Sequence, residues 1–438
     1  MKRQMNLDIH NYKWKYARSQ RLVEVSPISD RNKELIFKYR DACILHQVCG
    51  KVRLIRVMEA LKMFAHILNK DFDQLTKQDL QYLVSTMMNR QPPYSAETLG
   101  TYKSILKRFM SYVLSPEQFP NIERLPDMLT WIKTHVKKKD VTRLQRKDLL
   151  TPGDIEKLLH VCHNPRDKAL IAILWETGCR IAEIGNMQIK HVTKNKHGFT
   201  LDISGKTGER SPIIISAAPY LTQWISMHPF KDNPEAPLWV HYQYTKEPKH
   251  LKYSSIRYLL KRHFKHAGIT KPFHPHIFRH SRATYVLANG IMNESQAKIY
   301  FGWAPDSKML ATYSHLIDQD VTNAILKENN LSPMQKRHIE LQPRECKICH
   351  ELNPPSTEYC VTCGAVLDMT KAYEHQRVHE ETDALFVNLF KVMVDKGLVD
   401  EAVQAIHDAG MGTRLKRLAQ HLSKEKSITE HDNRIRTD

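Results

Sequence analysis

Apolar residues recur every three or four positions in four segments between residues 31 and 115, a spacing typical of amphipathic helices. The segments are LIFKYRDACILHQ, VRLIRVMEALKMFAHILN, DLQYLVSTMMN and ETLGTYKSILKRFMSYVL. Thr76 and Ser95 stand where the N-caps of the third and fourth helices are expected. Short breaks separate the segments, so the pattern predicts a compact all-α domain at 31–115. Residues 1–30 have weaker periodicity, and we expect a loosely packed N-terminal extension there.

The periodicity stops after residue 115. Pro116, Pro120 and Pro126 interrupt any helix, and residues 131–150 carry seven Lys/Arg against two Asp. Residues 116–150 are therefore predicted to be a basic linker between domains. Such a charge run is either a solvated surface or a strap that crosses a phosphate backbone.

A second periodic region, at 151–330, has mixed character. Thr151 followed by Pro152 is a typical helix start, and DKALIAILWETG is apolar enough for a buried helix. The β-rich runs FTLDIS and SPIIIS flank the turn residues 205–208, which predicts a hairpin. Helical spacing returns at 253–267, 276–289, 293–301 and 306–316. The fold class is thus mainly α with a small antiparallel sheet in this second domain.

Two CxxC pairs lie close together, in the pattern C-x2-C-x10-C-x2-C. Two thiolates on one tight turn can occupy adjacent vertices of a Zn²⁺ tetrahedron, and a second turn completes it. We therefore expect a zinc ribbon at 340–370, with a redox dithiol as the competing interpretation. Four thiolates leave no open position, so the zinc is structural. The ligands are Cys346, Cys349, Cys360 and Cys363.

The remaining segments and cysteines are less specific. A helical C-terminal region and tail are expected at 371–438, with helical spacing at 380–424. The other four cysteines lie in apolar helical patterns and are interpreted as reduced core thiols. They are Cys43, Cys49, Cys162 and Cys179.

The net charge of the chain limits the kinds of molecule that it is expected to bind. The 438 residues include 66 Lys+Arg and 47 Asp+Glu, a formal net charge of +19. A pI near 9.4 indicates a polyanionic partner, either nucleic acid or an acidic membrane surface. No apolar run approaches the roughly 18 residues of a membrane-spanning helix, and the N-terminus lacks a signal-peptide core. We expect no membrane partner and a cytoplasmic, nucleoid-associated protein.

Cationic and aromatic residues concentrate in four segments of the second domain, TGCRIAEIG, ISGKTGERSPIII, HPHIFRHSRATYVLANG and FGWAPDSKMLATYSHL. Two arginines, Arg180 and Arg279, could each fork onto the non-bridging oxygens of a phosphodiester. A tyrosine oxygen can attack phosphorus, and Lys206 can protonate the leaving 5′-oxygen. Arg210 is either a further phosphate contact or a surface charge.

Together these segments resemble the tyrosine recombinases, the family of phage-type integrases and Xer-like resolvases, over residues 35–320. The resemblance implies that 31–115 is a core-DNA-binding domain and that 151–330 is catalytic. It implies a structural role for Glu183. It also implies that catalysis needs neither ATP nor a metal. The implied catalytic residues are Arg180, Lys206, His276, Arg279, Trp303 and Tyr313.

One interval departs from the family pattern. Trp303 and Tyr313 are ten residues apart, one more than is usual, which leaves Tyr300 as a second candidate nucleophile. The sequence around Tyr313, Ala-Thr-Tyr-Ser-His, favours Tyr313.

The resemblance implies a site-specific recombinase that cleaves and rejoins double-stranded DNA target sites through a 3′-phosphotyrosine, as a tetramer on DNA. Two alternatives remain open: a zinc-ribbon DNA-binding regulator on an inactive recombinase fold, and a type IB topoisomerase-like enzyme. Salt-dependent DNA binding without a covalent adduct would favour the regulator. Integration, excision and dimer resolution share this chemistry, so the sequence does not choose among them.

Overall fold

The computed structural model describes residues 7–121, 123–135, 145–205, 208–241, 247–304, 306–307 and 341–396. The chain forms two compact units, residues 1–343 and 344–438. Helices dominate the described residues and the sheets are small and antiparallel, which confirms the predicted fold class.

The first unit begins with five helices. They are α1 Tyr12–Glu24, α2 Asp30–Leu45, α3 Lys51–Leu68, α4 Lys77–Met88 and α5 Ala96–Leu114. The hydroxyls of Thr76 and Ser95 accept backbone N–H bonds at the starts of α4 and α5, as their positions predict. Leu61, Phe64 and Phe109 are fully buried in the shared core of these helices. The helical periodicity of 31–115 therefore forms a packed core, as expected.

The N-terminal extension differs from the prediction. Residues 12–24 form a regular helix, and α1 packs along α3. Val23 belongs to the helical core and Tyr16 packs against that core. The apolar side chains of α1 are few, so its periodicity in sequence is weak even though they reach the core.

The start of the predicted linker also differs. Phe119, Leu129 and Ile132 are buried in the core of the five helices. The prolines end the helix here, but apolar residues between them still pack, so the helical part extends to at least residue 132. Residues 136–144, which include most of the basic run, lie outside the described residues.

The second half of this unit is built around the buried helix α7. Its helices are α6 Pro152–Val161, α7 Pro165–Thr177, α8 Ile181–Gly185, α9 Ala218–Ser226, α10 Tyr253–His266, α11 Ile277–Ala288 and α12 Glu294–Phe301. Helix α7 packs against α6, α9 and α11. Thr151 caps α6 with Pro152 at its first position, as predicted. The predicted helix at 306–316 falls almost wholly outside the described residues.

The predicted hairpin forms with a break in it. Strand β1 is Val192–Asn195, β2 is Gly198–Leu201, β3 is Ile203–Gly205, β4 is Gly208–Arg210 and β5 is Ile213–Ile214. Strand β2 pairs with β5, and β3 pairs with β4, all antiparallel. Strand β1, which the sequence pattern did not predict, pairs with β2 and completes a three-stranded sheet.

A short segment before α1 attaches to the second half of the unit. Ile9 is only 2% exposed. Its N–H donates to Asn186 Oδ1 at 2.9 Å, and its carbonyl accepts the N–H of Tyr253 at 3.0 Å. Its side chain fills the space beside Gly185, where a Cβ would lie 2.5 Å from Ile9 Cδ1. Only two residues separate Ile9 from α1, so this segment connects α1 to helices α8 and α10.

The second unit begins with a small knuckle module. Strands β6 Arg344–Glu345 and β7 Leu352–Asn353 pair antiparallel, and helix α13, Met369–Asp395, follows. Residues 397–438 lie outside the described residues. Among the helices that the structure describes, none combines the length and apolar character needed to cross a bilayer.

We expect Ile9→Ala to lower the free energy of unfolding by about 2–5 kcal/mol, because it empties a closed apolar site. Thermal unfolding of the full chain measures the change. Ile299→Ala is the matched control, since Ile299 is 76% exposed and its truncation should have little effect. An equal stability loss in both variants would contradict the anchoring role of Ile9.

Candidate active site

The first arginine lies at a break between two helices. Gly178 ends α7 in the left-handed region, with φ of 57°, and Arg180 is the N-cap of α8. Arg180 Nη1 pairs with Glu183 Oε1 at 2.6 Å, and the Arg180 N–H donates to Glu183 Oε2 at 2.9 Å. The Arg180 side chain stays 29% exposed. One carboxylate thus fixes both the backbone and the guanidinium of Arg180.

The same carboxylate lies against the β3–β4 hairpin. Arg210 Nη2 pairs with Glu183 Oε2 at 2.8 Å. A Cβ added to Gly205 would lie 2.7 Å from Glu183 Oε1, so the strand passes directly over the carboxylate. Burial acts to raise the pKa of Glu183, but Arg210 and Arg180 outweigh it and hold this pKa below its usual value. Glu183 is therefore ionised at neutral pH and holds two cations.

The position of Arg210 in the structure is neither of the two that its sequence suggested, a phosphate contact or a surface charge. Its side chain is 11% exposed and reaches inward to the carboxylate of Glu183. The signal was available in the register, because Arg210 pairs across the hairpin with Ile203, which is buried. Directly opposed residues share a face of the sheet, so Arg210 had to face the interior.

The second arginine is held by backbone carbonyls. Arg279, on α11, is 4% exposed. Its Nη1 donates to the carbonyl of Gly178 at 3.1 Å and its Nη2 to that of Phe301 at 2.6 Å. Its guanidinium also lies over the ring of Trp303, 5.8 Å from the centroid, and Trp303 stacks on Phe301. These contacts fix the plane of the Arg279 guanidinium beside the turn that carries Arg180.

His276 lies one turn before Arg279, at the start of α11, and its side chain reaches the surface. Partial burial lowers the pKa of His276, and the charges of His274, Arg279 and Arg180 lower it further. His276 is therefore neutral at neutral pH. Arg279 donates to the Gly178 carbonyl, two residues before Arg180, and follows His276 by one turn, so the three residues lie in one neighbourhood. Burial lowers the pKa of the next ring, His280, to about 4.

The structure thus brings together four of the six predicted catalytic residues, Arg180, His276, Arg279 and Trp303. Lys206 and Tyr313 lie outside the described residues.

Tyr300, the second candidate nucleophile, faces the interior. Its hydroxyl donates to the carbonyl of Glu176 at 2.8 Å. Burial raises the pKa of Tyr300 far above its usual value, which disfavours the phenolate. The same carbonyl accepts a bond from Arg282 Nε at 3.0 Å. Tyr300 therefore acts as a packing residue that ties α12 to α7.

The four clustered cysteines form a candidate metal centre in the second unit. Their sulfur atoms all lie within 4.8 Å of one another. The Sγ atoms of Cys346 and Cys363, and those of Cys349 and Cys360, are 3.5 Å apart. A Zn²⁺ tetrahedron with bonds of about 2.3 Å has sulfur–sulfur edges of about 3.8 Å, so the donor set fits zinc.

A residue that the sequence analysis missed supports this centre. Asn353 is fully buried; its Oδ1 accepts the N–H of Val361 at 2.9 Å, and its Nδ2 lies 3.6 Å from Cys360 Sγ. It therefore joins β7 to the second CxxC turn. Gly364, with φ of 74°, follows this turn in the left-handed region that glycine adopts without strain.

Comparison with known proteins agrees with this geometry. A family model described as the phage integrase family matches residues 148–320, the part of the chain that holds the arginines and histidine. This match, together with the similarity to tyrosine recombinases described below, confirms the resemblance seen in the sequence.

Individual relatives are distant. Tyrosine recombinase XerA of Saccharolobus solfataricus is 26% identical over 273 residues, covering 61% of this chain and 84% of that protein. Transposase A from transposon Tn554 of Staphylococcus aureus is 26% identical over 212 residues, covering 45% and 55% respectively. A solved structure of the XerH site-specific recombinase, bound to palindromic difH substrate in a post-cleavage complex, is 18% identical with a TM-score of 0.49. The match covers 74% of this chain and 98% of that one.

We expect Gly205→Ala to destabilise the hairpin against α8, because the new methyl group overlaps a carboxylate that several hydrogen bonds hold in place. Overpacking of this kind costs about 1–3 kcal/mol, measurable by thermal unfolding. Gly153→Ala is the control, since its Cβ meets nothing closer than 3.9 Å. Equal stability of the two variants would contradict the close approach of Gly205 to Glu183.

Proposed function

We propose that the chain is a site-specific DNA recombinase that breaks and rejoins strands through a covalent 3′-phosphotyrosine. The observation that carries this proposal is the convergence of Arg180, His276 and Arg279. These residues come from segments about 100 positions apart in sequence, yet they share one electrostatic neighbourhood. The two arginine cations, with a neutral histidine beside them, suit a reaction in which negative charge builds on a phosphate.

In the proposed reaction the guanidinium groups of Arg180 and Arg279 bind the scissile phosphate and stabilise its pentacovalent transition state. The Tyr313 oxygen attacks phosphorus, a new P–O bond forms, and the bond to the 5′-oxygen breaks. A 3′-phosphotyrosine and a 5′-hydroxyl result. Attack by a 5′-hydroxyl of another strand reverses the step. No ATP is needed, because the phosphotyrosine linkage preserves the energy of the broken phosphodiester bond.

Lys206 and His276 are proposed to move protons. The ammonium of Lys206 protonates the leaving 5′-oxygen, and the resemblance of its segment to the family's β-hairpin lysine segment supports this role. A neutral His276 accepts the proton that the Tyr313 hydroxyl loses as it attacks, in keeping with the lowered pKa of His276. Trp303 stacks beneath the Arg279 guanidinium and limits its movement. The arginines supply the positive charge at phosphorus, so the proposed chemistry requires no catalytic metal.

We propose that duplex DNA is the partner of this chain, because its phosphates attract a protein with a net charge of +19. The helical domain and the catalytic domain, joined by the basic run at 136–144, would enclose the duplex. Exchange between two sites requires at least two such enzymes on each, so we propose a homotetramer on DNA. A substrate of this kind implies a cytoplasmic, nucleoid-associated location.

Tyr313→Phe should abolish covalent attachment to a nicked suicide DNA substrate, because the variant lacks the attacking oxygen. Denaturing gel electrophoresis measures the adduct after proteins and DNA are mixed. Tyr300→Phe is the matched control: it should retain the adduct, since Tyr300 only donates to a backbone carbonyl.

Three outcomes would oppose this assignment. An undiminished adduct from Tyr313→Phe would exclude the proposed nucleophile. Salt-sensitive DNA binding with no adduct from the wild type would favour an inactive DNA-binding regulator. Relaxation of supercoiled DNA lacking any specific site would favour a type IB topoisomerase-like enzyme.

We also propose that Cys346, Cys349, Cys360 and Cys363 bind one structural zinc ion. The mutual distances of the four sulfurs support this assignment. The module has only two two-residue strands, so metal binding would supply much of its folding free energy. Its two CxxC turns would be held together by the ion.

Metal analysis of the purified chain should find about one zinc per chain. Cys346→Ser should lose the zinc and make residues 341–396 sensitive to protease. Cys49→Ser should keep it, because Cys49 packs against the helical core and is not one of the four clustered cysteines. Two disulfides within the cluster and no bound metal, in protein purified without oxidant, would instead support the redox interpretation.

A further inference from the structure

We infer that Arg210 is a positioning residue that couples the hairpin carrying Lys206 to the two arginines at the phosphate. This inference rests on the proposed function. Arg210 would act through Glu183 and the Phe301 carbonyl without contacting DNA. Its role would be to hold the segments of the active site in one arrangement.

Arg210 donates to the same acceptors as Arg180 and Arg279. Nη2 of Arg210 pairs with Glu183, the carboxylate that also holds Arg180. Nη1 of Arg210 donates to the Phe301 carbonyl at 3.3 Å, the acceptor that also receives Arg279 Nη2. Arg210 therefore shares one acceptor with Arg180 and another with Arg279, so a shift of its guanidinium displaces both partners.

Arg210 also joins segments that are far apart in sequence. Its Nη2 lies 3.0 Å from Cys179 Sγ, on the turn before α8. A Cβ at Gly302 would lie 2.6 Å from Arg210 Nη1, so the end of α12 closes over the guanidinium. From its place on β4, Arg210 thus contacts both the α7–α8 turn and the residue before Trp303.

The geometry makes a direct phosphate contact unsuitable for Arg210. Its side chain is 11% exposed, whereas that of Arg180 is 29% exposed. Both terminal nitrogens already donate to protein acceptors. A phosphate at Arg210 would have to replace Glu183, which would release Arg180 at the same time.

Loss of Arg210 should change the pH dependence of cleavage. Burial acts to raise the pKa of Glu183, and the charge of Arg210, together with Arg180, holds this pKa below its usual value. Among the residues that the structure describes, the other titratable or charged groups that face Glu183 are Arg180, Cys179 and His276. Without Arg210 the pKa of Glu183 rises. Protonation then releases Arg180 at a higher pH than in the wild type.

The experiment measures the single-turnover rate of adduct formation with the nicked substrate from pH 5 to 9, together with DNA affinity and thermal stability. Arg210→Met should slow adduct formation by about 10²-fold, as expected for misplaced reacting groups, with DNA affinity little changed. The acid limb of its pH–rate profile should move towards neutral pH. Arg210→Lys keeps the charge, so it should restore the acid limb and part of the rate, since one ammonium cannot serve all three acceptors.

Arg166→Met is the matched control. Arg166 is also a buried arginine that pairs with a carboxylate, Asp167, and with a carbonyl, that of Val240. It lies at the other end of α7, about 18 Å along the helix from Gly178. Arg166→Met should lose stability but keep the rate and the pH profile of adduct formation.

The outcomes distinguish a failure of the proposed function from a failure of the positioning role of Arg210. No adduct from the wild type refutes the proposed function itself. An adduct from the wild type, with equal rate losses in Arg210→Met and Arg166→Met and unchanged pH profiles, refutes the positioning role. If Arg210→Met does not fold, Arg210→Lys decides: a wild-type rate would overturn the inference, and a reduced rate at wild-type DNA affinity would support it.

Discussion

The carboxylate of Glu183 binds Arg180 on one side and Arg210 on the other, and the rest of the site depends on this interaction. Two guanidinium groups near each other repel, and partial burial strengthens that repulsion. A single anion between them removes the penalty and sets their separation. Because Glu183 also accepts the N–H of Arg180, the same group fixes where α8 begins. The backbone turn, the hairpin and the exposed arginine are thereby held by one side chain.

Local signals in the sequence were sufficient for the parts of this site that depend on neighbouring residues. Gly178 predicts the end of α7 because a left-handed residue is needed there, and Arg180 follows at the start of α8. The three-residue interval between His276 and Arg279 places both at the start of α11. The hairpin was expected from two β-rich runs around a turn. Each of these features is set within a few residues of chain.

The features that sequence reasoning missed depend on contacts between distant segments. Ile9 meets Asn186, 177 positions away, and nothing in residues 1–30 marks it as a core residue. Phe119 and Ile132 lie among prolines, which obscured their place in the helical core. Arg210 is charged, and an average charged residue lies on the surface, so its inward direction follows only from its pairing with Ile203.

The central claim, that the chain forms a covalent bond to DNA through Tyr313, is tested most directly by mapping the attachment point. Wild-type protein would be trapped on a nicked suicide substrate, digested with nuclease and protease, and analysed by tandem mass spectrometry. The account predicts a nucleotide joined through its 3′-phosphate to the tyrosine of the peptide that contains Ala-Thr-Tyr-Ser-His. A modification on Tyr300, on a serine or on no residue at all would contradict it.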